Sequence, residues 1–426
     1  MKNLILFTVA VFFSFQATAQ ILSPNATEVD FTYEAMVEAP LDESFTDSID
    51  AARFQAQHMF GIFTSPTVVK GMGINPDEIH GIGGPKSQSE VLILSEEVFE
   101  KNKKQMVRIQ YKNSGQMILQ NKAAAKVLAK GYFNVPLPTN PFKVYRKKCT
   151  DSHYNTFGDN WYFYDPYREG CESLSQAPLA QNVVIQVKKA KTRNIQRSAE
   201  LPLLRGDNGN GDLFSIYLIH GFSADPKDEQ DDGRLNYKTA HNYLIENGFT
   251  AERLKKSSPY PLNLYKKTVT LSTGETIHIE VKSLLVETSI ESKSKVFAEF
   301  FKQAVAKADV IIYEGHSGLG GNLNIPELES KAGKFEFPLK KQIFYFDSCS
   351  SYSYYLDHFN AYKTKTNIDV VTNGLSSYFH TSPLVLKEFM NYLIGSDNRN
   401  FQWMTILKKM ESVLGKQSFL VNVGGL

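Results

Sequence analysis

Along roughly the first two hundred residues, apolar positions come in short runs and alternations, the period of strands with one buried face. Residues 91–94, 106–111 and 117–120 show it, the last two joined by the turn-like Lys112-Asn113-Ser114-Gly115. Residues 131–137 and 182–189 add further strands, and the glycine-rich stretch 71–85 reads as a loop. Beyond residue 212 the pattern changes. Residues 213–219 form an apolar run interrupted only by Ser215, as a strand buried on both faces requires. The segments 309–313, 342–346 and 368–372 repeat that signature, while 268–271 and 276–286 read as a hairpin. Between them the spacing turns helical at 237–246, 292–307, 383–394 and 401–414. The second of these puts Val296, Phe297, Phe300, Phe301, Ala304 and Val305 on one side. The charged joint Arg205-Gly206-Asp207-Asn208-Gly209-Asn210-Gly211-Asp212 separates the two patterns. The expected organisation is therefore a β-rich domain over residues 20–200 and an α/β domain with a mainly parallel sheet over 212–426.

The first 19 residues carry their own pattern. Lys2, an apolar run at 4–15 broken by Thr8 and Ser14, and Ala17-Thr18-Ala19 read as a secretory signal peptide cleaved before Gln20. The run is too short to span a membrane comfortably, and no later segment approaches eighteen uncharged apolar residues. The style is bacterial, so a periplasmic or secreted protein is expected. Its compartment permits disulfides. Composition adds an exclusion: 47 basic against 45 acidic residues, with no half strongly biased, gives no concentrated basic face for nucleic acid. The three cysteines are more informative. Cys149 and Cys171 flank the aromatic stretch 161–166, read as a strand, and are close enough to form a disulfide. The rival reading is a metal site from Cys149, Asp151, His153 and Cys171, whose spacing fits no zinc pattern well. Cys349 is left over.

In parallel sheets, ligands bind beyond the carboxyl ends of the strands. Three such ends carry chemistry here: Ile219-His220-Gly221-Phe222, Glu314-Gly315-His316-Ser317-Gly318, and Phe346-Asp347-Ser348-Cys349-Ser350. A thiol becomes a nucleophile when a nearby imidazole takes its proton. A glycine-rich turn beside the imidazole frees backbone N–H groups for an oxyanion. Ser350 or Ser351 is expected to cap a following helix, whose dipole would lower the Cys349 thiol pKa.

A strand ending in His within a Gly-rich turn, followed by a strand ending in x-Cys, resembles the caspase, gingipain and clostripain superfamily of cysteine peptidases. Asp347-Ser348-Cys349 is most similar to the Asp-Ala-Cys of the clostripain branch. The resemblance spans roughly residues 212–400 and its specific part is the two strand ends. It implies a caspase-like three-layer sandwich and a Cys349/His316 dyad acting on a peptide or protein substrate. An oxyanion pocket would come from N–H groups near Ser317 or Gly318 and of Cys349. Asp347 would line a specificity pocket for Arg or Lys. One departure is that Ser317, not Gly, directly follows the histidine.

Two other readings compete. One is a caspase-like protein without activity, used for binding or structure. The other is a serine hydrolase, because Gly315-His316-Ser317 is similar to a nucleophile elbow and Ser317, Asp347 and His380 fall in triad order. Against it, Leu319 stands where the elbow needs Gly, and residues 320–326 do not suit the helix that should follow. His220 and His380 face the expected substrate rim, in binding or structural roles. No cofactor is called for. The acidic loop 225–232 offers at most a calcium site, and its spacing matches no EF-hand.

Overall fold

A computed structural model describes residues 20–41, 47–143, 147–152, 154, 156, 158–191, 197–199, 212–254, 260–271, 274–289, 294–395 and 401–424. The signal sequence, His153 and residues 200–211, which include all of the joint except Asp212, lie outside the described residues. In chain order, strands β1 (Ile21–Leu22) and β2 (Ala26–Pro40) lead to helices α1 (Ser48–Thr64) and α2 (Pro66–Gly71). Strands β3 (Gly83–Pro85), β4 (Glu90–Lys101) and β5 (Lys104–Gln120), helix α3 (Asn121–Lys130), and strands β6 (Tyr132–Pro138) and β7 (Ala180–Lys189) follow. The second half begins with β8 (Leu213–Gly221), α4 (Asp232–Glu246), β9 (Thr250–Arg253), β10 (Leu262–Thr270) and β11 (Thr276–Val286). Next come α5 (Lys295–Lys307), β12 (Val310–Glu314), α6 (Ile325–Ala332), β13 (Gln342–Asp347) and α7 (Ser351–Tyr355). The chain closes with β14 (Ile368–Asn373), α8 (Ser382–Ile394), α9 (Trp403–Ser412) and β15 (Val421–Gly424).

The larger sheet is mixed and runs β1-β15-β14-β13-β12-β8-β11-β10-β9. Its five central strands, β14-β13-β12-β8-β11, are parallel, and antiparallel strands flank them. Strands β12, β13 and β14 are buried at every position, which is why they appear in the sequence as unbroken apolar runs. One face packs on α4, α8 and α9 through Leu244, Phe389 and Trp403, the other on α5 and α6 through Phe297, Phe301 and Leu328. After β8 the chain first builds β11 on one side, then returns to lay β12, β13 and β14 on the other. The crevice where strand order reverses, between β8 and β12, is where an open parallel sheet offers a binding site.

The smaller sheet is antiparallel, in the order β3-β5-β2-β7-β6 with β4 on β5. The stretch 71–85, read as a loop, ends in β3, which pairs with β5, and helix α3 was not read; other features also differ from the sequence reading. Helix α1 was not expected in a strand-rich region: its buried face mixes Ala51, Ala52, Ala56, Met59, Phe60, Ile62 and Phe63 with the polar Gln55 and His58, which weakens its apolar period. Lys112-Asn113-Ser114-Gly115 is no turn but the middle of β5, paired with β2 throughout. Buried Asn113 donates to the Tyr33 hydroxyl (2.9 Å), and a Cβ on Gly115 would press against the Phe31 ring at 3.1 Å. Those turn-like residues are internal partners. The aromatic stretch 161–166 is likewise not a strand but a series of turns, held by the Cys149–Cys171 disulfide. Gly61 of α1 lets that segment close in, since a Cβ there would sit 2.2 Å from the Tyr164 nitrogen. Among the described residues, no helix is long and apolar enough to cross a membrane.

Candidate functional site

The site starts from three neighbouring strand ends in register: His220 of β8 pairs with Glu314 of β12, which pairs with Asp347 of β13. All three are buried. His220 Nδ1 lies 3.0 Å from Glu314 Oε2, and its ring meets Tyr237 edge-on at 5.6 Å. The Asn236 amide of α4 bridges Glu314 Oε1 and the Phe379 carbonyl. Asn373, at the end of β14, donates to Asp347 Oδ1 (2.8 Å). Burial, and then the neighbouring Glu314 charge, push the Asp347 carboxyl up to about 7 against hydrogen bonds from Asn373, Ser382 and Ser377. Among the described residues, no lysine or arginine pairs with Glu314 or Asp347.

Above Glu314 the chain turns at Gly315, where a Cβ would stand 3.2 Å from the Tyr313 hydroxyl and 3.4 Å from Gly221 Cα. The turn presents His316. Its Nε2 lies 2.7 Å from the Ser223 carbonyl, and its ring sits edge-on to Phe379 at 5.3 Å. A carbonyl can only accept, so Nε2 carries the proton and Nδ1 is left as the basic nitrogen. Ser223 is itself fixed. The Asp231 carboxylate accepts from the N–H of Ser223, Ala224 and Arg234 and from the Ser223 hydroxyl (2.8 Å). Burial alone would raise the Asp231 pKa, but these donors outweigh it and hold the carboxyl low. Thus the acidic loop 225–232 serves to anchor the carbonyl that orients His316. Among the described residues, no group of three or more His, Cys, Asp or Glu side chains is arranged to hold a metal ion.

Cys349 follows β13 by two residues and is partly exposed, its Sγ 3.6 Å from the Ser377 carbonyl. The expected lowering of the thiol pKa does not occur: burial pushes the thiol up, and Asp347 adds to it, against hydrogen bonds from Ser376 and Ser377. Helix α7 is only five residues long, too short for a dipole to offset that. Neither serine caps it with its side chain. Ser350, at the cap position, takes a left-handed conformation (φ 51°, ψ 31°), which costs a non-glycine residue about 1–2 kcal/mol. Ser351 instead donates to the Phe346 carbonyl (2.7 Å) and accepts from Asn373 N–H (2.8 Å), tying the turn to β13 and β14.

A cavity of about 260 Å³ opens over these strand ends. Asp232, Glu314, Gly315, His316, Asp347 and Cys349 line it together with Ser377, Tyr378, Phe379, His380 and Ser382. So the structure brings Cys349, His316, Asp347 and His380 to one space. His220 lies beneath it against Glu314. Ser317 is buried and absent from the lining, its carbonyl accepting from the Tyr355 hydroxyl at 2.5 Å. From Gly318 the chain makes a short 3-10 stretch broken at Leu319 and Gly320, both at positive φ, so no helix follows Ser317 directly. Among the described residues, the N–H groups of Gly318 and Cys349 donate to no other backbone carbonyl in these turns. Cys149 and Cys171 are disulfide-bonded, with Cα atoms 5.7 Å apart.

Sequence reasoning missed Glu314, Ser223, Asp231 and Asn373. Glu314 carried a usable signal, a charged residue closing an apolar strand just as Asp347 does. Ser223 acts through its backbone, which no side-chain pattern reports. No protein-family model and no curated protein matches the sequence.

Proposed function

We propose that this chain is an exported cysteine peptidase that cleaves after arginine or lysine, with Cys349 as nucleophile and His316 as general base. The single observation that carries the reading is that a thiol and an oriented imidazole line one cavity together with buried carboxyls that no lysine or arginine meets among the described residues. The parallel strand order, with both groups on the successive strands β12 and β13, supports the caspase-like sandwich that the resemblance implies. The disulfide supports an oxidising compartment.

A substrate's guanidinium or ammonium would enter over Asp347, with Glu314 and Asp232 adding to the field. His316 Nδ1 takes the thiol proton as sulfur attacks the scissile carbonyl carbon. Gly318, like Ser317, does not line the cavity, so the oxyanion is assigned to the Cys349 N–H at the mouth of the turn. Collapse breaks the C–N bond, the imidazolium returns its proton to the leaving amine, and a thioester remains. Water then attacks with His316 again as base, releasing the acid and restoring the thiol.

The test is labelling of the full chain with an arginyl acyloxymethyl ketone, which alkylates activated thiols. Wild type is expected to label at Cys349, His316→Ala about a thousandfold more slowly, and Cys349→Ala not at all. Equal labelling of wild type and Cys349→Ala sinks the proposal. The cavity lined by Asp232, Glu314 and Asp347 also fits one second reading, a module that holds a basic side chain without cleaving it. In that case arginine amides bind but are not turned over.

A further inference from the structure

We infer that the β-rich region is a brace for the nucleophile turn: side chains from residues 28–162 grip the segment after Cys349, and its grip sets how the thiol is presented. The reading of Cys349 as nucleophile underlies the turnover part of this inference only.

The grip falls on successive positions. The Tyr352 hydroxyl donates to Glu28 Oε1 at 2.7 Å, and both residues are buried. Ser87 gives its N–H (3.0 Å) and its hydroxyl (2.8 Å) to the Ser353 carbonyl. The Phe60 ring stacks on Tyr354 with centroids 5.8 Å apart and an interplanar angle of 13°. Lys86 pairs with Asp357 at 3.0 Å. The Tyr162 hydroxyl, from the segment enclosed by the disulfide, neighbours the Ser350 and Ser376 side chains.

What is gripped needs support. Ser350 sits in a left-handed conformation that persists only where surroundings over-determine it. Helix α7 is a single turn, below the length at which a helix sustains itself. Its terminal carbonyls lack partners within the helix, and Ser87 supplies them for Ser353. Much of the support for the turn therefore comes from strand β2, helix α1 and loops of the β-rich region. Phe60 also meets Trp161 at 5.6 Å, which links the stapled segment to the same brace.

The experiment compares full-length wild type with Glu28→Ala, Glu28→Gln and Phe60→Leu. It measures Cys349 alkylation by iodoacetamide, kcat and KM on an arginine amide, and Tm. Glu28→Ala and Phe60→Leu are expected to alkylate about 3- to 10-fold faster, as burial of the thiol is relieved. Their kcat should fall about tenfold with KM within about twofold, because the turn is displaced while the substrate pocket is kept. Glu28→Gln, which retains the acceptor for Tyr352, should restore both rates. Should Glu28→Ala fail to fold, Phe60→Leu decides alone. Rates unchanged within about twofold in the folded variants overturn the inference, as does a Gln variant as impaired as Ala. Alkylation that responds while no form cleaves peptides leaves the brace standing and removes the peptidase reading.

Discussion

The two ends of the parallel sheet treat buried charge in opposite ways. At the amino ends, Asp309 beside β12 and Asp369 of β14 are buried with cations in place. Lys340 meets Asp309 at 2.9 Å, and Lys341 (2.6 Å) and Arg197 meet Asp369. The backbone N–H of Ser215 and the Trp403 indole complete their shells. Lys363, buried nearby, gives three hydrogen bonds to Pro338, Lys340 and Gln342, while burial pushes its pKa down to about 8. At the carboxyl ends, Glu314 and Asp347 are equally buried but receive amides and a histidine in place of a lysine or arginine. Removing the cation from a buried pair leaves an uncompensated charge, whereas a buried carboxyl without one is a candidate functional group. The same sheet thus separates an end of matched charge from an end that no lysine or arginine neutralises among the described residues.

The comparison can be broken most forcefully at the structural end. Lys341→Met leaves Asp369 with less of its countercharge in a dry site, so unfolding by urea is expected to lose about 3–5 kcal/mol with labelling of Cys349 retained in the folded fraction. A stability loss under about 1 kcal/mol there would mean the amino end is not built on matched charge. At the other end the sign reverses. The folded Asp347 pKa of about 7 lies above the unfolded carboxyl value, so its favourable contribution is full at acid pH and is lost as pH rises through 7. Asp347→Asn should therefore be more stable than wild type at pH 8, by about 1–4 kcal/mol, and nearly equal to it at pH 4. Melting curves at the two pH values check this. No pH-dependent gap between the proteins contradicts it. The smallest effect concerns orientation. Asp231→Ala frees the Ser223 carbonyl from its clamp, and kcat on an arginine amide should drop about tenfold with KM unchanged. An unchanged kcat removes the acidic loop from the account.

The sequence is most readable where burial is symmetric. The strands β12, β13 and β14 stand out because both faces are covered, and a polar residue closing such a run has to lie at the sheet's edge. That made His316, Asp347 and Cys349 visible, together with the disulfide pair. Helix α1 stayed hidden because polar Gln55 and His58 interrupt its buried face, and β5 because Asn113 and Gly115 have turn chemistry unless Tyr33 and Phe31 stand opposite. The same limit applies at the site. Glu314 becomes informative only once His220 and Asp347 lie on either side of it. The lowered thiol pKa expected from a following helix fails because a five-residue helix does not offset the desolvation of the thiol by burial.

The proposed function has Asp347 and Glu314, which no lysine or arginine meets among the described residues, receive a substrate cation beside the Cys349 thiol. It is tested most directly by competing arginyl and leucyl acyloxymethyl ketones for Cys349, with mass spectrometry reading the adducts. The arginyl reagent is expected to react at least about a hundredfold faster in wild type, and Asp347→Asn to bring the ratio close to one. Equal rates in wild type would contradict the account.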